Sequence, residues 1–367
     1  MAPPTTTKII FLTLLVQLCT TTISTISTTV AANTTKATTG TGGKIPAIFI
    51  FGDSLLDTGT NTFLLTGVRA DHAPYGENFP GRVPTGRFSN GRLMSDMLAS
   101  HLGIKYTVPS FLELGLSNED IVTGVCFASA GSGYDDTTNV VTGIIPVLRQ
   151  VDYLRMYITR LRSAVGAVQA NRTLNDALVV VSSGSNDVTF SFYDSPNRPG
   201  LFIGAYHDFL LSRLQTFVQE LYGQGLRNMI IFGLPPIGCF PGEISAKFRI
   251  DRSCVENENS DSQFYNQKLV ARLAQLQPSL PGTKLVYGDI YTPLYDMVKN
   301  PLNYGFEVVN RGCCATGFVE TGLFCSISTP VCPNPDKFVF FDAAHPSEAT
   351  YRHVAQSLQK QALPQFL

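Results

Sequence analysis

The chain has 367 residues, of which 44% are hydrophobic and 15% are charged, and its formal net charge is −1. This is the composition of a globular protein with enough apolar surface for a substantial core. Because the net charge is close to zero, the sequence offers no basic field for nucleic acid and no acidic tail for a cationic partner.

The amino-terminal segment is typical of an export signal. Lys8 precedes the apolar run Ile9–Leu18, and a Thr/Ser-rich stretch ends in a small-residue motif at Ala32. The run is about half the length of a transmembrane helix, so a cleaved signal fits better than an anchor. We therefore expect a removed signal peptide at 1–32, a flexible lead-in at 33–43 and a single folded domain at 44–367. A disordered tail is the alternative.

Five short apolar runs along the chain predict buried strands: Ile45–Phe51, Val122–Ala128, Ala177–Ser182, Met229–Phe232 and Lys284–Tyr287. Between and after them, apolar residues recur at helical spacing, within Leu93–Leu102, Val147–Ile158, Phe209–Leu221, Leu269–Leu276 and a last helix opened by Ser347 and Glu348. Apolar runs without alternation, separated by helices, predict a parallel sheet that helices cover on both faces. In such a doubly wound α/β domain, reactive groups follow the carboxyl ends of strands.

A serine follows the first predicted strand, in the segment Gly52-Asp53-Ser54. At this edge of the sheet we expect a helix to begin, so that its N-terminal partial charge and the Ser54 N–H face a developing oxyanion. Gly52 permits the tight turn that this placement needs. Ser54 is therefore the candidate nucleophile, and a serine that only caps a helix is the alternative.

An aspartate and a histidine lie close together near the carboxyl terminus, in Phe341-Asp342-Ala343-Ala344-His345. On one short loop, the Asp342 carboxylate can orient the His345 imidazole, which can take the Ser54 proton and return it to the leaving group. The chain order Ser, Asp, His is that of a known triad. A surface capping loop is the alternative for this pair.

Two further loops supply candidate donors for an oxyanion hole. Asn186 follows the apolar run ALVVVSS, and Gly131 follows the run that contains Cys126. The Asn186 amide and the Gly131 and Ser54 N–H groups could together bind an oxyanion, and losing one such donor costs about 100- to 1,000-fold in rate. By themselves, Asn186 and Gly131 also fit ordinary turns.

Cysteine usage agrees with export to an oxidising compartment. Six cysteines are candidates for disulfide bonds, with their pairing left open: Cys239, Cys254, Cys313, Cys314, Cys325 and Cys332. A zinc site is the alternative, although the paired CxxC spacing is lacking. Cys126, in an apolar stretch, is expected to be a buried free thiol. Asn33 and Asn171 begin sequons and are candidate N-glycosylation sites.

These segments resemble the plant GDSL esterase/lipase family, part of the SGNH hydrolase superfamily. FIFGDSLLDTGTN is similar to the family's first block, GVCFASAGSGYD to its second, SSGSNDVTF to its third and FDAAHPSEATYR to its last. The arm after the first block and the cysteine-bearing segments FGLPPIGCFP and NRGCCATGFVETGLFC also match. The resemblance covers about residues 45–360, in the family's order.

The resemblance implies that Ser54 is the nucleophile, that Asp342 and His345 complete the triad, and that Ser54, Gly131 and Asn186 form the oxyanion hole. It also implies a three-layer α/β/α sandwich with a flavodoxin-like five-stranded parallel sheet, and no metal or cofactor. With the signal peptide, it predicts a secreted protein of the apoplast or cell wall, with the vacuole as the alternative. We expect an ester substrate, and a monomer is favoured.

Three residues depart from the family's usual pattern: Cys126 and Thr60, where asparagine is usual or frequent, and Phe341, where tryptophan is usual. We expect Cys126 to remove a hydrogen bond that supports the Gly131 loop. Phe341 keeps an aromatic ring beside Asp342 without the indole donor. Since no proposed reacting group is replaced, activity should survive.

The leading functional hypothesis is hydrolysis of a carboxylic ester through an acyl-enzyme. The alternatives are an acyltransferase that uses the same triad with an alcohol in place of water, and a non-catalytic secreted binding protein. Lipids, cutin-type esters, acetylated wall polysaccharides and esters of specialised metabolites are all compatible substrates.

Overall fold

A computed structural model of the protein describes residues 45–140, 143–194, 202–316 and 325–367. The predicted signal peptide, the lead-in and Asn33 lie outside the described residues. Within the described ranges, no helix has the length and apolar character needed to cross a membrane.

Four of the five predicted runs form one parallel sheet. Its strands are β1 (Ile48–Gly52), β2 (Leu178–Ser182), β3 (Asn228–Phe232) and β4 (Lys284–Gly288), in the order β1-β2-β3-β4. Every residue of β1 and β2 is buried, which requires cover on both faces of the sheet. Lys284 of β4 is exposed, as suits an edge strand. Two shorter strands, β5 (Val308–Gly312) and β6 (Phe338–Phe340), form a separate parallel pair.

The helices of the described ranges supply the cover. They are α1 (Met94–His101), α2 (Asn118–Thr123), α3 (Gln150–Val165), α4 (Ala167–Asp176), α5 (Ile203–Gly223), α6 (Pro241–Ala246), α7 (Glu256–Leu276), α8 (Tyr291–Lys299) and α9 (Glu348–Gln361). Eight of them fall into two packed groups, α1 with α8 and α9, and α2 and α4 with α3, α5 and α7, while α6 packs against β5. The predicted three-layer α/β/α fold is confirmed. The predicted start of α9 is also confirmed, since the Ser347 side chain accepts the Thr350 N–H at 3.3 Å.

The predicted fifth strand, Val122–Ala128, is wrong as an element of its own. Val122 belongs to α2, and Gly124 then breaks the chain direction at a positive φ of 95°. Only the next residues pair with β1, through a parallel bridge between Cys126 and Ile50. Isolated bridges from Cys126 to Ile50 and to Ser110 therefore occupy the position of a fifth strand, because a short helix and a glycine take up the first half of the apolar run.

Candidate active site

Ser54 lies immediately beyond the carboxyl end of β1. Gly52, the last residue of β1, pairs with Ser182 of β2, and the Asp53 N–H continues this pairing by donating to the Ser182 carbonyl at 3.0 Å. Gly52 has φ 131°, and a Cβ there would lie 1.8 Å from the Ser182 oxygen, so only glycine fits. The turn leaves Ser54 half-buried at the edge of the sheet.

The helix that we expected to begin at Ser54 does not form. The chain makes one turn, closed by the Asp57 N–H donating to the Asp53 carbonyl at 3.0 Å and by the Leu55 N–H donating to Asp53 Oδ1 at 3.1 Å. A short 3₁₀ helix follows only at Thr60–Phe63. The expected helix-dipole contribution at Ser54 is therefore wrong, and individual N–H groups are the donors at this position.

A buried aspartate, Asp57, ties the Ser54 turn to the Gly131 loop. Its carboxylate accepts the N–H of Thr60 at 2.6 Å and the N–H of Ala130 at 2.9 Å. Asn61 supports the same loop by donating to the Ala130 carbonyl at 3.0 Å. Burial raises the pKa of Asp57 to about 6, although the N–H groups lower it, so the carboxylate is ionised at neutral pH.

Asn186 is joined to the Ser54 turn through Ser132. The Asn186 Nδ2 donates to the Ser132 carbonyl at 2.9 Å, and Ser132 Oγ donates to the Gly52 carbonyl at 3.0 Å. Gln150 braces Gly52 from the other side, since its side-chain amide accepts the Gly52 N–H at 2.8 Å and donates to the Gly52 carbonyl at 2.7 Å. The loops of Ser54, Gly131 and Asn186 thus meet at one sheet edge, as predicted.

A second buried carboxylate, Asp187, follows Asn186 in the chain and binds the loop after Gly131. It accepts the N–H groups of Tyr134 and Asp135, both at 2.9 Å, and the Thr138 hydroxyl at 2.6 Å. Burial raises the pKa of Asp187 to about 6, and these hydrogen bonds oppose the increase. The residue beside Asn186 therefore fixes the loop that follows Gly131.

Asp342 and His345 contact each other directly, as predicted. His345 Nδ1 lies 2.9 Å from Asp342 Oδ1 and 2.8 Å from Oδ2. Asp342 Oδ1 also accepts the backbone N–H groups of Ala344 at 2.9 Å and His345 at 2.7 Å, while Oδ2 accepts the Tyr75 hydroxyl at 2.7 Å. Both members of the pair are buried, with 1% of Asp342 and 5% of His345 exposed.

The small sheet of β5 and β6 carries this loop. The N–H groups of Cys313 and Cys314 donate to the carbonyls of Phe340 and Phe341, at 3.0 and 2.7 Å. Aromatic rings complete the surroundings: Phe88 lies 4.8 Å from the His345 ring, and Phe341 packs against Tyr75. Aromatic rings therefore flank the two partners of Asp342, His345 and Tyr75.

The unusual residues do not disturb these contacts. Cys126 is a buried free thiol, as predicted, and its Sγ lies 3.3 Å from the Leu56 carbonyl. Burial raises its pKa to about 12, which makes the thiol unreactive. Thr60 contacts Ser110 through its hydroxyl at 3.0 Å. The Gly131 loop is supported by Asp57 and Asn61 instead.

Two disulfides form among the six candidate cysteines. They join Cys239 to Cys254 and Cys313 to Cys332, and the remaining candidates, Cys314 and Cys325, are buried thiols. The other sequence-predicted modification site, Asn171, is exposed on α4.

Several supporting residues were not among the sequence-predicted ones. Asp57 and Asp187 each stand within a few residues of a predicted group, Ser54 and Asn186, and an acidic residue in a glycine-rich apolar context is a signal that could have identified them. Tyr75 and Gln150 carry no local signal, because their partners lie 267 and 98 residues away.

A serine at a sheet edge, a buried Asp–His pair and converging amide donors are the groups that serine hydrolases combine. The comparisons agree with this class. The sequence matches the model of the family described as GDSL-like lipase/acylhydrolase over residues 48–358.

Relatives in Arabidopsis thaliana match nearly the whole chain. GDSL esterase/lipase At2g31550 is 49% identical over 91% of this chain and 94% of its own length. GDSL esterase/lipase At2g31540 is 48% identical with the same coverage, and At1g58430 is 49% identical over 85% of this chain and 88% of its own length. The chain belongs to the GDSL-like lipase/acylhydrolase family, and it is a carboxylic ester hydrolase.

Proposed function

We propose that Ser54 is the nucleophile of this ester hydrolase and that His345, oriented by Asp342, is its general base. The 2.8 Å contact between His345 Nδ1 and Asp342 Oδ2 carries the proposal, because it leaves Nε2 as the ring nitrogen that can take the Ser54 proton. Burial raises the pKa of Asp53 to about 7, and the charge of His345 opposes the increase. The imidazole therefore lies within electrostatic range of the residue next to Ser54.

The oxyanion hole in this proposal consists of the Ser54 and Gly131 N–H groups and the Asn186 side chain. Within the described ranges, neither of these two N–H groups donates a hydrogen bond to a backbone carbonyl. Asn186 Nδ2 donates one of its two hydrogens to the Ser132 carbonyl, and the second can bind an oxyanion. The three donors are half-buried, so a substrate carbonyl can reach them.

The reaction then follows in two half-steps. Ser54 Oγ attacks the ester carbonyl while His345 Nε2 takes its proton, and the three donors stabilise the tetrahedral oxyanion. His345 gives the proton to the departing alkoxide, which leaves as an alcohol, and an acyl-enzyme remains on Ser54. Water attacks this ester with His345 again accepting a proton, and the proton returns to Ser54 as the acid leaves.

Hydrolysis of p-nitrophenyl acetate by purified variants tests the nucleophile. Ser54→Ala should reduce turnover by about 10⁴-fold or more. Ser183→Ala is a matched control, because Ser183 is buried at the carboxyl end of β2 and its hydroxyl has no hydrogen-bond partner within the described ranges. It should keep near wild-type turnover. Activity in Ser54→Ala would contradict the proposal.

Product analysis with an added alcohol separates hydrolysis from acyl transfer. Under the proposal, free acid accumulates in proportion to ester consumed, because water is the second acceptor. A transesterified product as the main species would show that the same acyl-enzyme serves an acyltransferase instead.

We also propose that the chain is secreted to the extracellular space after cleavage near Ala32. The two disulfides support an oxidising compartment, and Asn171 is exposed for a glycan. After expression in eukaryotic cells, the protein recovered from the culture medium should begin near Asn33 and should lose mass when it is treated with an endoglycosidase. Asn171→Gln should reduce the shift. Retention in the cell with an intact amino terminus would contradict the proposal.

A further inference from the structure

Tyr75 contacts the proposed acid–base pair from outside the predicted motifs. Only 1% of its surface is exposed, and its hydroxyl donates to Asp342 Oδ2 at 2.7 Å. The same oxygen faces His345 Nδ1 at 2.8 Å. Tyr75 therefore competes with the imidazole for one oxygen and sets how that oxygen points.

The Tyr75 side chain is itself held on three sides. Its ring packs against Phe88 and Phe341, and its oxygen accepts the Cys325 N–H at 3.4 Å. Burial and the neighbouring Asp342 raise the pKa of Tyr75 well above its usual range. The phenol consequently stays protonated and remains a donor to Asp342.

The two unpaired candidate thiols lie next to this contact. Cys314 and Cys325 are 3% and 2% exposed, and they belong to one buried cluster with Tyr75 and Phe341. Cys314 also donates its N–H to the carbonyl of Phe341, the residue before Asp342, at 2.7 Å. Two free thiols therefore lie in the same buried cluster, beside the Cys313–Cys332 disulfide, which is the arrangement from which a further bond can form.

We propose that Cys314 and Cys325 close a third disulfide bond during export, and that this bond fixes Tyr75 as the positioning residue for Asp342. The role of Asp342 in this inference rests on the proposed function. The bond would anchor Cys325 to the segment that pairs with Phe341. The Cys325 N–H would then stay on the Tyr75 oxygen, and the Tyr75 hydroxyl would stay on Asp342.

The oxidant is the disulfide of a thiol–disulfide oxidoreductase in the secretory pathway. The Cys314 thiolate attacks that disulfide and releases one of its thiols, and the Cys325 thiolate then attacks the mixed disulfide at the Cys314 sulfur. The two cysteines lose two electrons and two protons, and the oxidant becomes a dithiol. Burial and the Cys314 thiol raise the pKa of Cys325, so the exchange has to take place before folding buries the two thiols.

Peptide mapping of the secreted, full-length chain tests the bond. The protein is denatured without reductant, its free thiols are alkylated and its peptides are identified by mass. We expect a linked Cys314–Cys325 peptide and alkylation of Cys126. Alkylation of both Cys314 and Cys325 in protein from the medium would overturn the inference, whatever its activity.

Kinetics of two variants test the positioning role. Tyr75→Phe should lower kcat by about 10-fold with little change in KM, because it removes one hydrogen bond to a charged group. Its acid limb in the pH–rate profile should move to higher pH, since a carboxylate without the phenol donor favours the imidazolium more strongly. Loss of folded protein alone would leave that limb in place.

The double variant Cys314→Ala/Cys325→Ala should show a smaller fall in kcat and a shift of the acid limb in the same direction. Combined with Tyr75→Phe, it should add no further loss, because both changes act through one hydrogen bond. Cys239→Ala/Cys254→Ala, which removes a disulfide that does not contact Tyr75, should lower stability without moving the pH profile. Additive losses, or an unchanged profile in Tyr75→Phe, would overturn the positioning role.

The outcomes separate this inference from the proposed function. If a fluorophosphonate fails to label Ser54 in the wild-type chain, the proposed nucleophile is wrong while the peptide map still decides the disulfide. If Ser54 is labelled and the thiols are free, only the disulfide inference fails.

Discussion

The loops that carry Ser54, Gly131 and Asn186 are held by buried carboxylates, whereas the loop that carries Asp342 and His345 is held by strand pairing and aromatic packing. On the first side, ionised side chains accept several backbone N–H groups each, and the three candidate donors remain half-buried. On the second side, the reacting pair itself is buried.

The difference follows from what each side has to do. Oxyanion donors are most effective when they are fixed before the substrate binds and remain accessible to it. Buried carboxylates that accept several backbone N–H groups fix the loops without covering the donors. An Asp–His contact is stronger in a low local dielectric, so burial away from water stabilises it. Substitutions on the two sides should therefore fail in different ways.

The largest effect is expected on the buried side. Asp342→Asn should lower kcat by about 10³- to 10⁴-fold, because an amide cannot stabilise the imidazolium and favours the wrong tautomer. Steady-state kinetics and thermal unfolding of the same sample check this. A loss of less than about 10-fold in well-folded protein would mean that Asp342 does not orient the base.

The next effect is expected on the open side. Asn186→Ala should lower kcat by about 100- to 1,000-fold with a small change in KM, since the lost donor acts mainly on the transition state. Asn139→Ala removes an amide that supports a neighbouring loop through the Gly133 and Asp135 carbonyls, and should keep kcat within about 10-fold. Equal losses in both variants would contradict an oxyanion role for Asn186.

A stability measurement probes the carboxylate support directly. Asp57→Asn places an amide among the N–H groups of Gly59, Thr60 and Ala130, and should lower the free energy of unfolding by about 2–4 kcal/mol at pH 7. Asp136→Asn, at a side chain that is 82% exposed, should cost under about 0.5 kcal/mol. Urea denaturation measures both, and similar values for the two would refute the support role of Asp57.

The smallest effect on turnover is expected at Glu243, a buried carboxyl next to Gly242, whose N–H donates to the Ala343 carbonyl at 2.7 Å. Burial and the neighbouring Glu258 raise the pKa of Glu243 to about 8. The folded state then keeps a proton that the unfolded chain has lost, so Glu243 lowers stability as pH rises from about 4.5 to about 8. Glu243→Gln should flatten that decline in the free energy of unfolding. An unchanged slope would show that Glu243 does not titrate in this range.

The parts that were predicted from sequence depend on local patterns. Apolar runs identified β1, β2, β3 and β4, and the residues after β1 and β2 led to Ser54 and Asn186. Asp342 and His345 were found because they are neighbours on one loop. Helical spacing located α9, and Ser347 fixed its start.

The parts that were missed depend on competition or on distance. Asp57 accepts the N–H groups of Gly59 and Thr60, which a helix after Ser54 would donate to the carbonyls four residues earlier, so a turn forms there instead. Gly124 ends α2 inside the run predicted as a strand. Tyr75 meets Asp342 only because the fold brings together residues 267 positions apart, which no local pattern encodes.

Active-site labelling tests the central claim most directly. The secreted chain is treated with a fluorophosphonate, digested and mapped by mass spectrometry, with Ser54→Ala in parallel. We predict one phosphonylated peptide, modified at Ser54, and loss of hydrolysis in proportion to labelling. Inhibition with the adduct on another residue, or labelling that persists in Ser54→Ala, would contradict the assignment of Ser54 as the nucleophile.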